Sequence, residues 1–162
     1  MAQIRIHRDG SVEALCGTQD IGSGSRTVVL LLTSRAFGYL PLSKITVRVG
    51  DSQYGASGAS AGSSTTGGVT QEIRKAFDAV RSKFFEEIAP KLKAAAGDLE
   101  IREGGRVGAK GQDASVTWDE ACGMLRDTVL GHASTIVDPE YQFAIIHEDG
   151  RIEQATEETH LA

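Results

Sequence analysis

No stretch of the 162-residue chain approaches the roughly 20 apolar residues of a membrane-spanning helix. The opening Met1-Ala2-Gln3-Ile4-Arg5 lacks the basic and apolar succession of a secretory leader. Cysteine is scarce. Cys16 and Cys122 stand far apart, in no metal-ligand spacing and with no disulfide framework around them. They read as two buried small hydrophobes in a reducing, cytoplasmic setting. None of the histidines, His7, His132, His147 and His160, falls in H-x-x-x-H spacing, so no zinc site is expected and no metal ligand is named. His132, Ser134 and Asp138 invite a triad reading, but no nucleophile elbow accompanies them, and no catalytic residue is assigned. The formal charge of −5 argues against a nucleic-acid partner, which needs a basic face. The acid pairs Glu86-Glu87 and Glu157-Glu158 point to different helix faces and read as solvated charge.

Glycine is abundant and clustered. Most of the 19 glycines gather near 17–24, 50–68 and 97–111, where backbone must turn sharply or approach something closely. The length suits one domain, and hydrophobic residues at 40% supply one core.

Residues 3–7 alternate, with Ile4 and Ile6 on one side, and Val12 to Cys16 form a second run. Asp9-Gly10 between them predicts a β-hairpin with a two-residue turn. The apolar run Val28-Val29-Leu30-Leu31-Leu32, ending at Gly38, predicts a buried helix. Ile45, Val47 and Val49 alternate as a half-buried strand. Ile73, Phe77, Val80, Phe84, Ile88 and Leu92 follow helical spacing, with Pro90 ending or kinking that helix. Leu99 and Ile101 belong to a short strand, with Gly104-Gly105 turning after it. Thr117-Trp118-Asp119-Glu120 is a capping box, and Trp118, Cys122, Leu125 and Val129 are read as one short helix. Trp118 and the helix phenylalanines are expected in the core. A strand over 141–146, a hairpin turn at Asp149-Gly150 and a frayed tail from Thr156 to Ala162 complete the chain. The order β-β-α-β-α-β predicts an α+β fold: a two-layer α/β sandwich whose mixed sheet carries its helices on one face.

Two segments carry candidate chemistry. The first, Gln19-Asp20-Ile21-Gly22-Ser23-Gly24-Ser25-Arg26-Thr27, follows a strand and opens a helix. Small residues there let an anion reach backbone N–H groups at the positive helix end; Ser23, Ser25 and Thr27 offer hydroxyls and Arg26 a charge. The third glycine of G-x-G-x-x-G is missing. A tight turn with Ser25 as N-cap explains the same residues, and both readings stand. The second segment, Gly55 to Gly68, is almost wholly Gly, Ala, Ser and Thr, and again lies between a strand and a helix. A long loop inside one compact core is usually functional. Two such loops, each feeding a helix N-terminus, can converge on one anion.

These residues resemble a known family. The first segment is similar to the acidic-x-Gly-x-Gly-x-x-Thr loop of the molybdenum-binding subunits of xanthine dehydrogenases and aldehyde oxidases. Ile45-Thr46-Val47-Arg48-Val49-Gly50-Asp51 resembles the strand that follows it. Gly58-Ala59-Ser60-Ala61-Gly62-Ser63-Ser64-Thr65-Thr66 resembles the second cofactor loop. The likeness runs over roughly residues 3–110.

It implies a domain that binds a molybdenum-pyranopterin, either molybdopterin or its cytosine dinucleotide. Gly22, Ser23, Gly24, Ser25 and Arg26, with Ala61, Gly62, Ser63, Ser64 and Thr65, are its implied cofactor-binding residues. Such enzymes hydroxylate aldehydes or nitrogen heterocycles, with electrons leaving through 2Fe-2S clusters and a flavin. The implied partners are therefore the remainder of the molybdenum subunit and the flavin and 2Fe-2S subunits or domains. The family's late Gly-x-Gly-Glu motif, which carries the base, is missing here, and many members have glutamine where Ser23 stands. The expectation is a cofactor domain over 1–136, inactive alone, with an unmatched strand or hairpin and polar tail over 137–162. A non-enzymatic anion- or nucleotide-binding module, or a structural module retaining the fold, is the alternative.

Overall fold

The computed structural model describes residues 1–54, 57, 60, 64–133, 144–146 and 152–154. The chain opens with the expected hairpin, β1 (Ala2–Ile6) antiparallel to β2 (Val12–Cys16). Its connection is a three-residue loop, not the two-residue turn predicted. Ile6 pairs with Val12, and the His7 amide donates to Ser11 O at 2.9 Å, which leaves Arg8, Asp9 and Gly10 outside the ladder. Ile4 and Ile6 alternate into the core as read.

Helix α1 (Ser25–Ala36) then crosses over to β3 (Ile45–Val49), which pairs parallel to β2. The C-terminal ends of β2 and β3 therefore lie side by side, with Cys16 opposite Val49. Helix α1 ends where the sequence marks it, at Phe37, with Gly38 beyond in a left-handed conformation. It is not the buried helix predicted. Of the run 28–32 only Val29 is buried, and Leu31 is 54% exposed. A helix lying on one face of a sheet buries one side only, and a continuous apolar run leaves the other side outward.

The long amphipathic segment is α2 (Thr65–Leu92). Pro90 sits in its last turn, and Lys93 closes it in a left-handed conformation. Helix α2 rests on β1 and on β7 (Val129–Ala133), which pairs antiparallel to β1. The predicted extension of the capping-box helix to Val129 is overturned. Helix α3 (Trp118–Gly123) stops six residues earlier, and Val129 starts the strand. Gly131 and His132 interrupt the apolar alternation that would have shown β7 in the sequence. Gly131 has a packing reason: a Cβ there would sit 2.5 Å from Ala76 O and 2.6 Å from Val80 Cβ, so α2 lies directly on the strand backbone.

The main sheet has the order β3-β2-β1-β7, one parallel pair and two antiparallel ones, with α1 and α2 on one face. This is the mixed-sheet α+β sandwich expected. A smaller antiparallel sheet, β4 (Leu99–Ile101), β5 (Val107–Ala109) and β6 (Ser115–Val116), follows α2. Strands β8 (Ala144–Ile146) and β9 (Ile152–Gln154) pair with each other. The Asp149-Gly150 turn and the tail from Thr156 lie outside the described residues.

The core joins the layers through aromatic rings. Phe37 and Phe84 each lie 5.2 Å from Trp118, and Phe37 meets Phe77 edge-on at 4.9 Å. Such pairs contribute about 0.5–1.5 kcal/mol each beyond burial. Trp118, Phe84 and Phe85 are buried as expected, and Phe77 is half-buried. Trp118 Nε1 donates to Gly10 O at 2.8 Å, which fixes α3 against the first hairpin. Buried Thr33 and Ser34 are satisfied by Val29 O and Leu40 O, both at 2.8 Å. The capping box forms in full, and the Thr117 N–H and hydroxyl hold the Glu120 carboxyl below its ordinary pKa.

Both rims of the sheet end on cations. Arg26 Nη2 donates to Val49 O at 3.0 Å on β3, and Lys83 Nζ to Leu130 O at 2.9 Å on β7.

Candidate functional site

Because β2 and β3 run parallel, the loops that leave them emerge from one edge of the sheet. In open α/β sheets this carboxyl edge is where ligands collect. The first loop runs from Gly17 to the start of α1, the second from Gly50 to the start of α2. Ser60 Oγ donates to Gln19 Oε1 at 2.7 Å, so the two loops touch.

The first loop is shaped by two left-handed glycines, Gly22 (φ +82°) and Gly24 (φ +76°), with no heavy atom within 4 Å of where a Cβ would stand. Residues with side chains rarely adopt this backbone. The turn is thus open on the side where side chains would stand. The N-cap of α1 is Gly24, not Ser25 as one reading held; Ser25 is the first helical residue. Its side chain is buried, with Oγ 3.0 Å from that of Ser23. Ser23 is exposed. The amides of Ser25, Arg26 and Thr27 precede the first helical bond, which Val28 N makes to Gly24 O at 3.0 Å.

Arg26 is already engaged. Its Nε donates to Asp20 Oδ2 at 2.7 Å and its Nη2 to the Val49 carbonyl. The charge expected to serve an anion is therefore shared with a carboxylate from the same loop.

At the second helix, Ser64 is the N-cap, without a side-chain capping bond, and Thr65 the first helical residue. Ala61, Gly62 and Ser63 lie outside the described residues. Neither helix has an acidic residue in its first turn. Beneath the loops, the Cys16 thiol donates to buried Thr18 Oγ1 at 3.2 Å. Its sulfur lies 3.7 Å from Ser57 Oγ and 3.8 Å from Glu72 Oε2. The nitrogen of Met1 is 2.9 Å from Glu72 Oε1. This buried group joins both loops, the end of β2 and the second turn of α2.

The structure thus brings Gly22, Ser23, Gly24, Ser25 and Arg26 together at one helix start and places Ser64 and Thr65 at another. Reading the sequence missed two contacts that shape the site, Gln19 to Ser60 between the loops and Asp20 to Arg26 within the first. The second pair left a signal, opposite charges six apart bracketing a glycine turn; the first left none.

The edge suits an anionic, phosphate-bearing group. Two positive helix ends, open glycine backbone and exposed hydroxyls face it, and the Asp20 carboxylate of the first loop is paired with Arg26. Among the described residues, no group of three or more His, Cys, Asp or Glu side chains is disposed to hold a metal ion directly, and no helix is long and apolar enough to cross a membrane. Cys16 and Cys122 are both buried and unpaired with each other, as read.

Comparison with known proteins supplies the context. The family model described as molybdopterin cofactor-binding domain matches residues 1–156, across the 136/137 boundary drawn from the sequence. Quinoline 2-oxidoreductase from Pseudomonas putida 86 is 20% identical, with TM-score 0.61, over 82% of this chain and 19% of that one. A Cu,Mo-CO dehydrogenase in its CO-reduced state is 25% identical, with TM-score 0.60, over 82% of this chain and 18% of that one. A reconstituted CO dehydrogenase from Oligotropha carboxidovorans is 24% identical, with TM-score 0.59, over 81% of this chain and 18% of that one. The chain spans under a fifth of the length of these structures. No curated protein matches it.

Proposed function

The chain belongs to the molybdopterin cofactor-binding domain family, and from that premise we propose that its two loops hold the molybdenum-pyranopterin of a hydroxylase of the xanthine dehydrogenase and aldehyde oxidase type. One observation carries the reading: two helix N-termini leave the same sheet edge, joined by the Gln19–Ser60 hydrogen bond. When bound, the cofactor supplies the redox-active metal for oxidising an aldehyde or nitrogen heterocycle with water.

The chain's own part is to bind and orient. Gly22, Ser23 and Gly24 present open backbone, with the amides of Ser25 and Arg26 behind them. Ser64 and Thr65, with Ala61, Gly62 and Ser63, serve the phosphate end. Helix-end amides place donors without a mobile side chain, so orientation is set by the backbone. Molybdopterin and its cytosine dinucleotide share the phosphate these donors recognise. In this reading residues 1–136 form the cofactor unit, and 137–162 form an appended hairpin and tail. The remainder of a molybdenum subunit supplies the base and substrate channel, and flavin and 2Fe-2S partners take the electrons. The setting is cytoplasmic.

The test is cofactor retention. The 162-residue chain, co-expressed with molybdate in a cofactor-producing host, is expected to co-purify with pterin and molybdenum, read by oxidised-pterin fluorescence and metal analysis. A folded chain that carries neither overturns the reading. Phosphate binding without pterin leaves a plain anion-binding module.

A further inference from the structure

Arg26 sits where three pieces of the edge meet. Asp20 enters the glycine turn, Arg26 leaves it, and the two close its base through a 2.7 Å ion pair. The same guanidinium reaches across to the carbonyl of Val49, the last residue of β3, at 3.0 Å. That carbonyl points off the rim, because the next amide, Gly50 N, turns inward to Cys16 O. The second loop departs immediately after it. One side chain therefore fixes the first loop to itself, to the sheet and to the root of the second loop. A planar fork can serve two acceptors at once; an ammonium at this reach cannot replace it on equal terms.

The electrostatic consequence runs the same way. An unpaired Asp20 carboxylate would oppose an anion at the start of α1, and Arg26 cancels it. We propose that Arg26 is a positioning residue, which holds the glycine turn and masks Asp20 rather than donating to the ligand. The part of this that concerns a ligand rests on the cofactor-cradle reading; the part that concerns the loop does not.

The test uses the full chain with Arg26→Gln, Arg26→Lys, Asp20→Asn and the Asp20→Asn/Arg26→Gln double variant. Amide hydrogen exchange at Val28, whose N–H closes the first helical bond onto Gly24 O, reads the loop. Titration with inorganic phosphate, followed by amide chemical shifts over 24–27, reads the anion. Arg26→Gln and Asp20→Asn are each expected to speed loop exchange about three- to tenfold. Arg26→Lys should fall between them and the parent, and the double variant should be no worse than Arg26→Gln. Phosphate affinity is expected to fall in Arg26→Gln and to recover in the double variant, since the exposed carboxylate is gone. Unchanged exchange in Arg26→Gln, or losses that simply add in the double variant, overturns the proposal. So does a double variant that binds phosphate as weakly as Arg26→Gln, because Arg26 is then a direct ligand. If phosphate shifts no amide even in the parent, the cradle reading fails while exchange still decides the role of Arg26 in the loop.

Discussion

Ser60 and Gln19 are 41 residues apart in sequence, yet their side chains meet at 2.7 Å and join the two loops of the site. This exposed contact adds to the buried group around Cys16 and to the Arg26–Val49 bond in setting how the loops lie together. Replacing Gln19 or Ser60 by Ala is expected to lower pterin retention or phosphate affinity several-fold. Thermal stability should shift by less than about 1.5 kcal/mol, the net value of one hydrogen bond. Paired affinity and melting measurements check this; an equal loss in both would make the contact structural only.

Gly131→Ala tests the contact between α2 and β7. The added methyl meets Ala76 O and Val80 Cβ, and backbone on both sides leaves little room to yield. Denaturant unfolding is expected to show a loss of roughly 1–3 kcal/mol, the usual cost of overpacking. Gly123→Ala, where a Cβ meets nothing within 4 Å, is the matched control.

Cys122 gives a pH dependence. Burial, and then the Asp119 carboxylate, push its thiol up from an ordinary 9.0 to about 12. The unfolded thiol ionises first. The folded state therefore keeps a proton that the unfolded state has lost, and stability falls as pH rises through the window between those values. Unfolding measured from pH 8 to 11 is expected to show this decline, and Cys122→Ala should flatten it. Native Cys122 should also resist thiol reagents at pH 8 until the chain unfolds.

The purified 162-residue chain is expected to turn over no aldehyde, purine or other nitrogen heterocycle, even with cofactor bound, because the Gly-x-Gly-Glu segment that carries the family's base is missing from its sequence. A steady-state assay with an artificial electron acceptor decides this, and any turnover above a denatured control refutes it.

Much of the fold was legible wherever one periodicity dominated. Ile4 and Ile6 showed β1, and the spacing from Ile73 to Leu92 showed α2, because each buries one face against one neighbour. The failures share a cause. Leu31 is apolar and exposed, Gly131 is small because a helix presses on it, and Val129 sits at helical spacing from Leu125 but begins a strand. In each case the decisive fact is what lies opposite, which a local pattern does not contain. The site behaved alike. The two glycine-rich loops stood out by composition, and the place of each between a strand and a helix made convergence readable; the parallel pairing that brings them to one edge did not show. The Gln19–Ser60 and Arg26–Val49 ties depend on tertiary approach and left no local trace.

The cationic rims have a consequence for assembly. A sheet grows by offering outward carbonyls to a new strand, and on both outer strands a carbonyl is already taken by a side-chain donor, Arg26 at one end and Lys83 at the other. A strand arriving at either rim would therefore have to displace that cation first. Exposed Leu31, Leu42 and Tyr39 are apolar surface that a neighbour can cover.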